Sequence, residues 1–111
     1  PVGDNSAGIF DNIQLQELYN QLVEQGSTSI SEAMQVGATI EDLDIFDLEN
    51  ALVKIDNQDV QLVYESLTKG SRNHLRSFYS NILLLEETYV PQFITQEKFD
   101  AIVNSPIEKG R

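Results

Sequence analysis

The chain has 111 residues, with 41% apolar and 23% charged side chains, which suits one domain with a real core and excludes a disordered tract. Its 18 acidic against 7 basic residues give a net charge of −11, so it lacks the basic footprint that nucleic acid or an anionic membrane requires; cationic partners and metal ions stay admissible. With no cysteine there are no disulfides, zinc fingers or thiolate chemistry, and the longest apolar run, Ile82 to Leu85, is far short of the ~20 residues that span a bilayer.

Residues 1–11, "PVGDNSAGIFD", mix Gly, Pro, Asn and Ser without periodicity and read as a flexible leader, with no signal-peptide pattern. The first residue is Pro1, which loss of a start methionine and excision from a longer precursor explain equally. Asn12 caps a first helix over about 13–25, where Leu15, Leu18, Tyr19, Leu22 and Val23 recur at helical spacing until Gly26 stops it. Its shortness suits an accessory element.

"SISE" then places Ser29 three residues before Glu32, a capping box. The helix it opens runs to about Ile55. Gly37 followed by "ATIED" offers a break, with Thr39 as a second cap, but one continuous helix is the better reading. "DNQD" at 56–59 is a turn rich in N-cap residues. A third helix follows from about Asp59 to Glu87, and Gly70 inside it suggests close packing, since a mid-helix glycine costs about 1 kcal/mol against alanine. "YVPQF" is extended, because Pro91 disfavours helix for Val90. Thr95 caps a last short helix to about Val103. No run alternates with period two, so the fold class is all-α, built on a long antiparallel helical hairpin.

Polar residues interrupt both seams of that hairpin. The second helix presents Ile30, Met34, Gly37, Glu41, Asp44, Leu48, Ala51 and Ile55, and the third presents Val60, Tyr64, Leu67, Ser71, His74, Phe78 and Leu85. Glu41 precedes the turn by about 15 residues and His74 follows it by about 17, so their levels differ by roughly 3 Å. Carboxylates on a core stripe are costly unless paired or bound to metal. His74 with Glu41 and Asp44 therefore reads either as a structural hydrogen-bonded pair or as part of a metal site between facing helices. One hairpin offers a single imidazole and two carboxylates, so a closed site needs ligands from elsewhere.

Other signals are weaker. Lys69, Arg72 and Arg76 form a basic stripe that binds an anion or, more simply, pairs with Asp42, Asp47 or Glu49. "DLDIFDLEN" lacks the glycine and spacing of a calcium loop. Tyr64 lies on the seam, as a redox-active neighbour of a metal or as core packing. No nucleophile motif, P-loop or dinucleotide fingerprint is present.

The stretches "GATIEDLDIFDL" and "GSRNHLRSF", with "YVPQFITQEKFDAIVNSP", resemble an uncharacterised ferritin-like family of bacteria and archaea, domain of unknown function 2202. The resemblance runs over about 13–106 and implies a four-helix bundle around a carboxylate-bridged metal pair, iron or manganese, in which two helices each give a Glu and two give Glu-x-x-His. It implies Glu41 and His74 as metal ligands, with Asp44, Ser71 and Tyr64 around them and Asp44 orienting His74. Ser71 stands where the pattern has a glutamate. Family members also carry a preceding helical pair, so the chain resembles the C-terminal half, a partial domain over 1–111. The expectation that follows is a homodimer whose two hairpins complete a bundle. The competing expectation is a non-catalytic helical interaction module in which the metal site is degenerate and no metal binds. Small-molecule substrate and reaction stay open.

Overall fold

The periodic segments fold as four α-helices, α1 (Ile13–Gly26), α2 (Ile30–Leu52), α3 (Gln58–Leu84) and α4 (Gln96–Val103), in a computed structural model that describes residues 13–26 and 29–109. Among the described residues there is no strand, and no helix is long and apolar enough to cross a membrane. The leader expected over 1–11 and the Asn12 cap lie outside the described residues.

The three later helices start at the side chains suited to hold them. Ser29 accepts from the Glu32 amide at 3.0 Å, Asn57 from the Val60 amide at 3.0 Å and Thr95 from the Lys98 amide at 3.1 Å. Each such cap stabilises its helix by about 1 kcal/mol. The ends fall earlier than the apolar pattern suggests. The α2 helix tightens after Leu52, where the amides of Lys54 and Ile55 bond the carbonyls of Ala51 and Leu52. The α3 helix stops at Leu84 because Glu86 turns left-handed, at φ 62°, and the amides of Glu86 and Glu87 close on the carbonyls of Leu83 and Ile82. Glycine usually holds this C-terminal position, since a side chain there costs about 1–2 kcal/mol.

The α2 helix runs unbroken through Gly37, and the glycine has a packing reason. A Cβ there would lie 2.3 Å from Phe78 Cε1, so the bare backbone seats the Phe78 ring and sets the approach of α2 to α3. Gly70 differs from expectation: among the described residues nothing lies within 4 Å of the place its Cβ would take.

The α2–α3 hairpin is the spine. On one side, Ala38, Ile45, Leu75 and Ile82 meet Tyr89 and Ile94 of the returning segment and Phe99 and Ile102 of α4 in one buried cluster. Phe99 stands edge-on to Tyr79 with ring centroids 5.0 Å apart. On another side α1 packs along α2, where Leu22, Val36 and Leu43 are buried. The remaining face of the hairpin is open among the described residues. Val60 and Leu67, on the expected packing seam, stay 40% and 52% exposed, and Val63 beside them 56%.

Candidate functional site

Glu41 and His74 meet as the hairpin register requires. His74 Nδ1 lies 3.5 Å from Glu41 Oε2. Their burial is opposite to expectation. The His74 side chain is 67% exposed, and it is Glu41, at 13%, that is enclosed. The histidine sits on the open face of α3, so it does not face the core; it covers the carboxylate from the solvent side. Among the described residues, the buried Glu41 Oε1 has no hydrogen-bond partner. Burial raises the Glu41 pKa above the ordinary carboxylate range, while the His74 charge and hydrogen bonds from Ser71 and His74 pull it back. Ser71 is thus beside the pair and buried.

Asp44, one turn further along α2, is pushed up to about 6, first by burial and then by the charges of Glu41 and Asp47, with His74 opposing. Burial also raises Asp47. This face gathers carboxylates whose charge is poorly compensated. Tyr64 does not join them: seven residues before Ser71 on α3, it lies roughly 10 Å down the axis. Its backbone carbonyl accepts the Thr68 hydroxyl at 2.7 Å.

Among the described residues no group of three or more His, Cys, Asp or Glu is placed to hold a metal ion. The donor set present, one imidazole and one enclosed carboxylate with Asp44 nearby, does not fit a metal centre on its own.

The residue that the sequence reading missed is Asp42. It is fully buried and is the acceptor that fixes the segment between α3 and α4. Tyr89 Oη donates to Oδ2 at 2.6 Å, the Gln92 amide to Oδ2 at 2.6 Å and the Ile94 amide to Oδ1 at 2.8 Å, with the Phe93 amide reaching Oδ1 at 3.2 Å. Burial and the Asp42 hydrogen bond raise the Tyr89 pKa, keeping the phenol neutral as a donor. A signal was available: Pro91 makes the segment extended, and its amides then need acceptors that no helix supplies.

Of the acids expected to face the basic stripe, Glu49 attracts Arg72 through its charge, but the hydrogen bonds of the arginines go elsewhere. Asp42 is taken, and Glu49 binds Lys98 at 2.6 Å. Arg72 and Arg76 instead hold Glu108, at 2.6 and 2.9 Å. Glu108 is held down at about 2, chiefly by the Arg72 hydrogen bond, with Arg76 adding to it.

An uncharacterised protein of Methanocaldococcus jannaschii, MJ0754, is 48% identical over 110 residues, which are 99% of this chain and 60% of that protein. The crystal structure of that hypothetical protein superposes with a TM-score of 0.83 at 48% identity, covering 97% of this chain and 62% of the other. The chain therefore spans about 60% of the length of this relative. An uncharacterised domain family, DUF2202, matches residues 1–106, and the chain belongs to that family.

Proposed function

We propose that this chain is a non-catalytic helical assembly module, whose open α2–α3 face is covered by a second copy of itself. The observation that carries this reading is the exposed seam of α3. Val60, Val63, Leu67, Gly70 and His74 follow one another at helical spacing with no carboxylate among them, on a chain of net charge −11. The α3 stripe thus adds no negative charge to such an approach, and the raised Glu41, Asp44 and Asp47 of α2 take up protons more easily than ordinary carboxylates, which eases their repulsion. Gly70, with open space where a side chain would be, leaves room for a second helix to come close. In the dimer His74 and Glu41 are an interfacial hydrogen-bonded pair, and the carboxylates of α2 lie at its edge.

The test is light scattering coupled to size exclusion across a concentration series. A dimer is expected, and Leu67→Glu, which adds charge to an already exposed position, returns it to monomer. A monomer at every concentration overturns the reading.

A second reading is favoured by one feature, the buried Glu41 Oε1 that lacks a partner. A buried acceptor left open is an unusual expense unless something meets it. On this reading the fold is ferritin-like, and Glu41 and His74 are half of a carboxylate–histidine site for iron or manganese, with Asp44 supporting. The other half comes from a second copy or from helices outside this chain. Metal analysis of protein purified with added iron or manganese separates the two. The assembly reading expects no stoichiometric metal, whereas the half-site reading expects metal that is lost in His74→Ala.

A further inference from the structure

Residues 104–109 turn back from the end of α4 onto α3, and one of them is held at each of its polar groups. Arg72 donates Nε and Nη2 to the two carboxylate oxygens of Glu108 at 2.6 and 2.7 Å, and Arg76 Nη1 lies 2.9 Å from Oε2. Asn73 reads the backbone of the same residue. Its Oδ1 accepts the Glu108 amide at 2.9 Å, and its Nδ2 donates to the Glu108 carbonyl at 3.0 Å. Lys69 Nζ is 3.5 Å from the next carbonyl, that of Lys109.

The neighbours of Glu108 add little. Ser105 and Pro106 are exposed, and Ile107 is 53% exposed, so the segment is held by recognition of one residue and not by apolar burial. Arg72 and Glu108 keep 26% and 30% of their side chains in solvent, so water can replace this part of the contact at modest cost. The receiving side is also built independently of Glu108. Arg76 Nε donates to the Ile102 carbonyl at 2.8 Å and Nη1 to Asn73 Oδ1 at 2.7 Å. Arg76 is 8% exposed at its side chain. Removing Glu108 therefore leaves Arg76 and Asn73 braced and aimed as they are, a preorganised pair. An open groove runs between α3 and the latch itself, lined by Arg76, Ser80 and Leu83 on one side and Pro106 and Ile107 on the other. Lys69, Arg72 and Arg76 are three of the 7 basic residues in the chain, gathered on one helix over two turns.

A bidentate arginine for a carboxylate, with an amide side chain bridging the backbone N–H and C=O of the same residue, is the equipment for taking an extended peptide. We propose that Arg72, Asn73 and Arg76 form a binding site for an acidic residue in an extended peptide, occupied in cis by Glu108 as an exchangeable latch. A glutamate-centred segment of another molecule enters when the latch opens.

The experiment uses the full chain and a fluorescent peptide of the latch sequence, acetyl-Ser-Pro-Ile-Glu-Lys-amide, followed by anisotropy. Glu108→Ala is expected to bind it. The unaltered chain binds about tenfold more weakly, because the cis segment competes at an effective concentration on the order of millimolar. Replacing glutamate by glutamine in the peptide weakens binding by about tenfold or more, through loss of the charge-assisted bonds. Arg72→Ala in the Glu108→Ala background abolishes it. Circular dichroism checks that each variant is folded. Should Glu108→Ala fail to fold, Glu108→Gln replaces it and is expected to show intermediate binding. A folded Glu108 variant that does not bind, or that binds the glutamate and glutamine peptides equally, overturns the site and leaves Glu108 a structural staple.

Discussion

A carboxylate with no solvent contact is destabilising by several kcal/mol unless donors surround it. Asp42 meets that condition with one phenol and three backbone amides, from Tyr89, Gln92, Phe93 and Ile94. Asp42→Ala leaves those donors buried or half-buried without an acceptor, at about 1–3 kcal/mol for each one that water cannot reach. The expected loss is at least about 3 kcal/mol by urea denaturation. Asp42→Asn is expected to cost about 2 kcal/mol or more, because its amide group presents donors to donors. A loss below about 1 kcal/mol for Asp42→Ala would show that the segment is held by its apolar contacts instead. The sequence suggested an ion pair for this residue, since Lys69, Arg72 and Arg76 stood nearby on the next helix. The identity of its partners depended on a long-range return, 47 to 52 residues away, which no local pattern reports.

Glycines divide the two long helices by opposite mechanisms. Gly37→Ala pushes a methyl into the Phe78 ring, and moving that ring disturbs the α2–α3 contact; the expected cost is about 1–3 kcal/mol. Gly70→Ala meets no atom, so it gains only helix propensity, about 0.5–1 kcal/mol of stabilisation in the monomer. Thermal unfolding of the two variants at low protein concentration checks both signs together, and equal shifts in the same direction would sink the packing argument for Gly37. At this scale much was legible. Ser29, Asn57 and Thr95 announce their helices through cap chemistry that is local in sequence, and the hairpin register that brings Glu41 to His74 follows from helical rise alone. What was not legible is which side of the α3 stripe is covered. Val60, Leu67 and His74 share the periodicity of core residues, and periodicity identifies a face without saying what lies against it. The end of α3 escaped for a related reason: Glu86 takes a left-handed turn without the glycine that usually signals one.

Across the whole molecule, two groups of carboxylates pull the pH dependence in opposite directions. Asp44 rises to about 6 in the fold, and Glu41 and Asp47 rise with it, so the folded chain takes up protons before the unfolded one. Folding therefore gains stability as pH falls from above 6, and this gain is complete near the ordinary carboxyl pKa. Glu108 behaves conversely. Its pKa is held at about 2, so its contribution is full above the ordinary value and is lost as pH falls toward 2. Relief of the −11 net charge acts in the same sense as Asp44 on the way down. The expected profile is a maximum of unfolding temperature near pH 5, a decline toward pH 8 and a steeper fall below pH 4. Asp44→Asn should stabilise the chain at pH 8 by about 1 kcal/mol, because solvent screens part of the burial penalty, and should flatten the limb from pH 8 to 5. Glu108→Gln should leave that limb intact and flatten the acid one. A profile already level between pH 8 and 5, or an Asp44→Asn variant that keeps the wild-type slope, would mean that water or a partner charge compensates the α2 carboxylates, and that the open face is less enclosed around Asp44 than its burial implies.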